Sequence, residues 1–316
     1  MPLSPHVPDL GTLELFAAVA GHGSIGAAAR AHGISQQAAS ARLRAMEAQV
    51  GAVLLDRDTR GSRLTPVGAL LADWAAALLA QARQLDASIA SLRGDRDALL
   101  RVAASLTVAE HLLPAWLVAL RAGAGQPGRA PAKITLTAAN SDTVAALVTS
   151  HQADLGFIEG PATPAGLRSQ VVAHDQLVVV ARPDHPWARR AAPVSAAELA
   201  STALVEREAG SGTRQWLRHA LRQRLGPDTE LAEPVLTLST TTAVRQAVQA
   251  GAGPAAVSQL AVGEAVTAGQ LAVIPIAGLD LTRGLRAVWT GPPQPPSGPA
   301  RDLVLIAAQG PGLPSC

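Results

Sequence analysis

The sequence predicts a mixed α/β protein in three parts: an all-α front end finished by a short β-hairpin, one long helix, and a two-lobed α/β remainder. Three observations carry that reading. Apolar residues recur at helical spacing through the first fifty positions, leucines repeat every seven residues from Leu71 to Leu92, and short β-like runs alternate with helical segments from Leu100 onward. At 316 residues the chain is too long for a single core. Its 48% hydrophobic content provides the apolar surface that a disordered chain lacks.

Leu10, Leu13, Phe16, Ala17 and Ala20 predict an amphipathic first helix ending near Gly21 and Gly23. Ser24 is a good N-cap for a short Ala-rich helix through Ala31, and Gly33 is a natural stop before the next N-cap candidate, Ser35. Two helices thus flank a tight turn. From Gln36 to about Val50, Ala39, Leu43, Met46 and Val50 form one stripe, while Gln37, Ser40, Ala41 and Arg44 lie opposite, so one side packs and the other is free to read. Residues 53–57 and 63–65 flank a turn-rich tip at 58–62, which predicts a hairpin, the wing. Thr65 and Pro66 then open a helix to about Leu92. In it Leu71, Leu78, Leu85 and Leu92, with Trp74 between the first two, suit pairing with a second helix. Packing of that stripe within its own domain is the alternative.

Further on, strands are expected at 101–104, 134–138, 154–158, 177–181, 203–205, 235–238, 255–257, 271–276 and 285–289. Helices are expected at 108–121, 143–150, 214–224 and 243–250. Two α/β lobes with a late return to the first account for that order, and a cleft between lobes is a common place for a ligand. The Pro/Gly-rich stretches at 291–299 and 310–314 read as loop and tail.

Composition narrows the class of function. Cys316 is the only cysteine and the last residue, which excludes an internal disulfide framework or a thiolate metal site and fits a reducing cytoplasm. No basic leader with a long apolar run and no membrane span is expected. The net charge is only +2, and with Lys133 the single lysine and no tyrosine the isoelectric point drifts upward by default, so the placement of the arginines matters more than their sum.

The first 68 residues resemble the DNA-binding domain of LysR-type regulators. The resemblance rests on Phe16, Ala17, Val19, Gly23-Ser24 and Ala28-Ala29, then Ile34-Ser35-Gln36, Ser40, Leu43 and Glu47, then Gly51, Leu54, Arg57, Leu64-Thr65-Pro66 and Gly68. Departures are His32 where leucine is usual, Ala41 where arginine is frequent, and Leu55 where phenylalanine is usual. The remaining chain is similar to the family's two-lobed effector domain, itself similar to periplasmic binding proteins. Its landmarks are Ser105-Leu106-Thr107, Leu113-Pro114, Asn140-Ser141, residues 154–160, Asp184-His185-Pro186, residues 210–214 and Gly251-Ala252-Gly253. Glu159-Gly160-Pro161 and the run at 210–214 look most like the branch that includes regulators of carbon fixation and of sulfur or sulfite responses.

The resemblance implies an α/β protein with a winged helix-turn-helix at 1–68, a linker and dimerisation helix at 69–97, and an effector-binding domain at 98–316. Lobe I would take about 98–175 and 275–316, and lobe II about 176–274. Gln36 and Gln37 carry amides able to pair with an adenine edge, Ser40 can serve base or phosphate, and Ser35 begins the same helix. Arg42 and Arg44 suit phosphate clamping, and Arg57, Arg60 and Arg63 put positive charge on the wing; for each arginine alone a solvated face is the plain alternative. A dimer would read a pseudo-palindromic operator in double-stranded DNA.

In the effector domain, residues 210–213 precede a helix, so backbone N–H groups and two hydroxyls suit an anion, an ordinary capped helix start being the alternative. The resemblance implies that equivalent loops line the cleft, which nominates Ser105, Thr107, Asn140, Ser141, Ser211, Gly212, Thr213 and Thr240 as effector contacts. A carboxylate, sulfite, sulfate or phosphorylated metabolite would each satisfy them. No cofactor and no metal are expected.

Catalytic readings fare poorly. The eight histidines show no ligand spacing, residues 210–214 lack the lysine of a phosphate loop, Gly253 is followed at once by Pro254, and no Gly-x-Ser-x-Gly elbow occurs. The expected function is a transcription regulator modulated by a small anionic effector, assembling as a homodimer or homotetramer and touching RNA polymerase. The alternative is a solute-binding protein or ligand sensor with a non-functional DNA module, against which residues 10–68 argue.

Overall fold

Helix α1 (Leu10–His22) begins at Asp9, whose carboxylate accepts hydrogen bonds from the Thr12 amide at 2.9 Å and the Thr12 hydroxyl at 2.7 Å. The same device starts α2 (Ile25–Ala31) and α3 (Gln36–Val50), where the Ser24 and Ser35 hydroxyls accept from the Ala27 and Ala38 amides. Gly23 and Gly51 close α1 and α3 at φ of 63° and 79°, the left-handed cap that glycine adopts without a Cβ penalty. The computed structural model describes residues 4–58, 61–93, 99–123 and 133–310. The chain parts into two compact units between Ile89 and Ala90.

In the first unit β1 (Leu55–Asp58) and β2 (Gly61–Leu64) form an antiparallel hairpin with Leu55 opposite Leu64. The Glu47 carboxylate accepts from the Leu54 and Leu55 amides at 2.9 and 3.1 Å, tying the hairpin to α3. Helix α4 (Pro66–Arg93) starts where the Thr65 hydroxyl accepts from the Gly68 amide at 2.9 Å. A Cβ on Gly68 would stand 2.1 Å from the Leu54 carbonyl oxygen, so only glycine lets the helix lie against the hairpin here. Leu13, Leu15, Phe16, Val19, Ala28, Leu43, Met46, Leu54, Ala75 and Leu79 make the core beneath.

The second unit runs β3 (Leu99–Ser105), α5 (Leu106–His111), α6 (Leu113–Gly123), β4 (Lys133–Ala139), α7 (Ser141–Thr149), β5 (Leu155–Ile158) and β6 (Arg168–Ala181). It continues with α8 (Pro186–Arg189), β7 (Val194–Ser195), α9 (Ala196–Ala200), β8 (Val205–Arg207), α10 (Gly212–Leu225), β9 (Leu236–Leu238), α11 (Thr241–Gln249) and β10 (Ala255–Ser258). Then come α12 (Gln259–Thr267), β11 (Ala272–Ile274), β12 (Ile276–Ala277), β13 (Thr282–Trp289) and α13 (Pro299–Gln309). Strand β3 lies between β4 and β5, parallel to both, and β13 runs antiparallel between β5 and β6.

Two sheets share β6. Residues 168–176 pair with β13, while 177–181 pair antiparallel with β10 and β11. Each sheet is covered on both faces, which for the first follows from its parallel strands β3, β4 and β5. In lobe I, Trp116, Phe157, Trp289 and Leu303 fill one side and Val144, Val148, Ile158 and Val288 the other. In lobe II, Leu177, Val179, Leu199 and Leu217 face Val180, Val205, Val244 and Val257 across the sheet.

Several elements depart from the sequence expectation. The helix expected at 108–121 is two, α5 and α6, broken at Leu112 because Pro114 has no amide to carry the helix through. The strand expected at 177–181 is only the end of β6, whose polar first half is held by β13 rather than by its own pattern. Helices α12 and α13 add to the expected set; Pro299, the last residue of the loop expected at 291–299, instead supplies the first-turn proline of α13. Arg60 and Cys316 lie outside the described residues, and of Arg57 and Leu92 only the backbone is described. No described helix is long and apolar enough to cross a membrane.

Candidate functional site

Helix α3 presents Gln37, Ala41 and Arg44 exposed and Ser40 half-buried on the side away from Ala39, Leu43 and Met46, while Gln36 and Arg42 are exposed at the flanks of that buried stripe. Ser35 is committed to its cap at 3.1 Å. Arg44 Nε donates to the Ser40 carbonyl at 3.3 Å, and Arg42 Nη2 lies 3.6 Å from Asp9 Oδ1. The hydrogen bonds from Thr12 hold the Asp9 carboxyl below the usual carboxylate range, so it stays ionised beside Arg42. Arg63 is exposed on β2.

Along α4 the two apolar faces divide. Ala75 and Leu79 are buried and Leu71 packs partly on the same core, whereas Val67, Leu70, Trp74, Leu78, Leu85 and Ile89 are exposed, Trp74 by 67%. Leu71 therefore serves its own domain while Trp74, Leu78 and Leu85 project outward.

In the second unit the structure gathers a buried polar centre around Arg283, which is 1% exposed and stands opposite Asp175 in the antiparallel register of β13 and β6. Arg283 Nε and Nη2 donate to Asp175 Oδ2 at 2.8 and 2.6 Å, Nη1 donates to Thr213 Oγ1 at 3.0 Å, and Nη2 also donates to Thr107 Oγ1 at 3.3 Å. Ser258 Oγ donates to Asp175 Oδ1 at 2.7 Å, and Thr213 Oγ1 donates to Glu159 Oε1 at 3.2 Å. Glu159 Oε2 is 3.1 Å from Arg283 Nη2 yet accepts no hydrogen bond, because both Nη2 hydrogens are directed at Asp175 and Thr107.

Lobe I contributes Thr107, Ser141 and Glu159 to this centre; lobe II contributes Gly212, Thr213 and Ser258. Ser141 Oγ accepts from the Glu159 amide at 3.3 Å. A Cβ on Gly212 would lie 2.6 Å from both Glu159 Cγ and Ser141 Oγ, so glycine is what lets the start of α10 close onto lobe I. The helix start expected to hold an external anion thus already faces the protein's own Glu159. Further bonds join the lobes at the rim. The Asp142 amide donates to the Gly210 carbonyl at 3.2 Å, and Gln215 Nε2 donates to both Asp142 carboxylate oxygens at 2.9 and 3.0 Å. Burial pushes the Glu208 carboxyl up, but the hydrogen bonds and charge of Arg207, with a hydrogen bond from Asn140, hold it below the usual carboxylate range.

Ser105 and Ser211 stand at the N-cap positions of α5 and α10, each 1% exposed, but neither hydroxyl caps its helix and neither has a hydrogen-bond partner among the described residues. Ser24, Ser35, Ser195, Thr240 and Ser258, by contrast, all accept from their helices. Thr240 is exposed and occupied with the Ala243 amide; its buried neighbour Thr241 instead accepts from Arg207 Nη1 at 3.2 Å. Asn140 caps α7 through the Thr143 amide. The sequence reading missed Arg283, Asp175 and Ser258. A signal existed: Arg283 shares strand parity with Leu285 and Ala287, and Asp175 with Leu177 and Val179, so each charge sits on an inward-facing position. A shallow concavity lined by Arg182, Asp184, His185, Val248, Gly251 and Gly253 shares no residue with this centre.

The family pattern described as "Bacterial regulatory helix-turn-helix protein, lysR family" matches residues 10–69, and that described as "LysR substrate binding domain" matches residues 93–306. The uncharacterized HTH-type transcriptional regulator Rv2282c of Mycobacterium tuberculosis is 51% identical over 304 residues, covering 96% of this chain and 97% of its own. A RuBisCO operon transcriptional regulator of Allochromatium vinosum is 29% identical over 250 residues, 79% of each chain, in keeping with the carbon-fixation branch. A full-length OxyR variant from Pseudomonas aeruginosa shares the fold, with a TM-score of 0.68 at 21% identity over 96% of this chain and 98% of that one. With both patterns matched in order on a helix-turn-helix unit and a two-lobed unit, the chain belongs to the LysR family of transcriptional regulators, DNA-binding proteins with an effector-binding domain rather than enzymes.

Proposed function

We propose that this regulator reads a pseudo-palindromic operator with the exposed face of α3, as a homodimer or homotetramer joined through α4, and that an effector held around Arg283 between the lobes controls the assembly. The observation that carries the effector reading is a pair of buried hydroxyls without a hydrogen-bond partner, Ser105 Oγ and Ser211 Oγ, each two residues before a threonine, Thr107 or Thr213, that Arg283 holds. Gln36, Gln37 and Ser40 are the base-reading residues; Arg42, Arg44, Arg57, Arg60 and Arg63 contact phosphate. The exposed stripe of Trp74, Leu78 and Leu85 supports dimerisation. Residues 1–68, 69–97 and 98–316 are the DNA-binding, linker and effector parts. A ligand-dependent change in the angle between lobes alters how paired subunits present α3 to DNA and to RNA polymerase, in the cytoplasm.

A footprint of the full chain on its own upstream region, at several stated salt concentrations, tests this reading. A discrete protected site is expected. Gln37→Ala should weaken it with the salt slope unchanged, while Arg63→Ala, which no longer neutralises its phosphate, should lower the slope by about 0.9. Equal binding to any DNA sequence would overturn it.

A further inference from the structure

We infer that Glu159 is a tethered stand-in for the effector anion: it fastens the two lobes together from inside, so the effector has to displace it and binding opens the lobes. The inference rests on the effector reading above and adds to it the regulation of that site and the direction of the movement. Contacts between the lobes fall into two groups. The first lies where the chain crosses. Leu177 and Leu281 belong to the core of lobe II, and Val172 and Leu285 to that of lobe I, so β6 and the start of β13 pass between lobes beside Asp175 and Arg283. Ser258, which donates to Asp175 at 2.7 Å, ends β10 opposite Leu177. These three residues stay together when the lobes turn about the two crossings.

The second group joins α10 of lobe II to the ends of β4 and β5 in lobe I, away from the crossings. Thr213 Oγ1 donates to Glu159 Oε1 at 3.2 Å, and Arg283 Nη2 lies 3.1 Å from Glu159 Oε2. At the rim the Asp142 amide donates to the Gly210 carbonyl, and Gln215 Nε2 donates to the Asp142 carboxylate. Within this group Glu159 plays the part of a ligand. Helix α10 is 14 residues long, its N-cap residue Ser211 makes no side-chain cap bond, and the start of a helix favours a negative group. The carboxylate that α10 meets there comes from the other lobe, is 2% exposed, and touches a hydroxyl and a guanidinium. An anion held in this cleft would use those same two partners.

The packing leaves no place for a second anion beside the first. A Cβ on Gly212 would stand 2.6 Å from Glu159 Cγ and 2.9 Å from the Glu159 carbonyl carbon, so α10 already rests on this residue. An effector therefore competes with a carboxylate attached to the chain, whose effective concentration is set by its tether at about millimolar or above. It binds the minor population in which Glu159 has left Thr213, and its apparent affinity is reduced by that fraction. With an anion between Thr213 and lobe I, α10 stands further out than it does on Glu159 alone. The population that the effector stabilises is the open one.

The experiment is a pulsed electron-resonance distance measurement on the full chain. Spin labels go on Ala146→Cys of α7 and Gln223→Cys of α10, both exposed, in a Cys316→Ser background diluted with unlabelled protein. With no ligand added, the protein with its native Glu159 is expected to give one short distance, with a longer component under about a tenth. Glu159→Ala should raise the longer component at least about fivefold. Acetate, the fragment that this substitution removes, should restore the short distance at about 0.1 M against chloride of the same ionic strength, and should leave the Glu159 protein unchanged. Thr213→Val keeps the shape but loses the hydroxyl that donates to Glu159, and it covers the case in which Glu159→Ala misfolds. It should raise the longer component at least about twofold, with no response to acetate. A Glu159 protein already mostly in the longer component, identical distances in it and both variants, or an opened Glu159→Ala that acetate does not close would overturn the inference. None of these measurements adds the effector, so each such result strikes the latch and leaves the effector reading standing.

Discussion

Arg283 and Asp175 stand directly opposite one another on β13 and β6, two residues before β6 leaves one sheet for the other, and their side chains meet at 2.6 Å inside the protein. The link that β6 makes between the sheets of the two lobes is therefore braced by a buried ion pair, and the same guanidinium holds hydroxyls from both lobes, Thr107 and Thr213.

Replacing Arg283 by Met leaves Asp175 and Glu159 buried without their cation. Removing one partner of a buried pair costs about 3–5 kcal/mol, and Arg283→Met should show at least that loss in urea unfolding of the full chain. Thr107→Val, which removes a single neutral partner at 3.3 Å, should cost about 1 kcal/mol. Equal losses for the two variants would mean that the ion pair is not the brace.

Gly212→Ala places a methyl group within 2.6 Å of Ser141 Oγ and Glu159 Cγ. The lobes must part to accommodate it. Hydrogen exchange at the Asp142 amide, protected by the Gly210 carbonyl across the lobes at 3.2 Å, is expected to speed up, while amides in β3 and β13 keep their protection. Unchanged exchange at Asp142 would show that the packing yields without opening.

Trp74 and Leu85 are exposed by 67% and 62% on one helix face. Trp74→Glu with Leu85→Glu puts charge on that stripe without touching the buried Ala75 and Leu79, so sedimentation should report a shift toward monomer with the helical circular dichroism retained. An unchanged sedimentation coefficient would move the subunit interface off α4.

The Glu208 carboxyl titrates below its ordinary value of 4.5 in the folded protein. A depressed acid contributes stability that is present above the unfolded value and is lost as pH falls through the folded one. Unfolding midpoints of the wild type should therefore decline below about pH 4.5, and Glu208→Gln, which has no charge to lose, should decline less steeply over the same range. Parallel declines would remove Glu208 from the acid response.

Local signals made the first unit readable. Ser24, Ser35 and Thr65 each act within three residues of themselves, and the apolar periods of α1 and α3 need only a partner face to pack on, so the helix-turn-helix, the wing and the start of α4 could all be drawn from neighbouring residues. The same local logic placed Ser105, Thr107, Ser141 and Thr213 at helix starts, while only the family resemblance set them around one cleft; it also proposed Thr240, whose cap is real but whose side chain is exposed.

What tertiary structure alone decided is where charge is allowed inside. Arg283 and Thr107 are 176 residues apart, and Arg283 and Asp175 are 108 apart, so no local period reports their meeting. The polar half of β6 becomes a strand only because β13 returns beside it, and Glu159 becomes a buried acceptor only when Gly212 lets α10 close against it. The sequence by itself determined the capped and periodic elements, since capping and periodicity act over a few residues; the pairing of distant strands determined the polar half of β6 and the site, since the desolvation that makes Arg283 and Glu159 consequential exists only once both lobes have covered them.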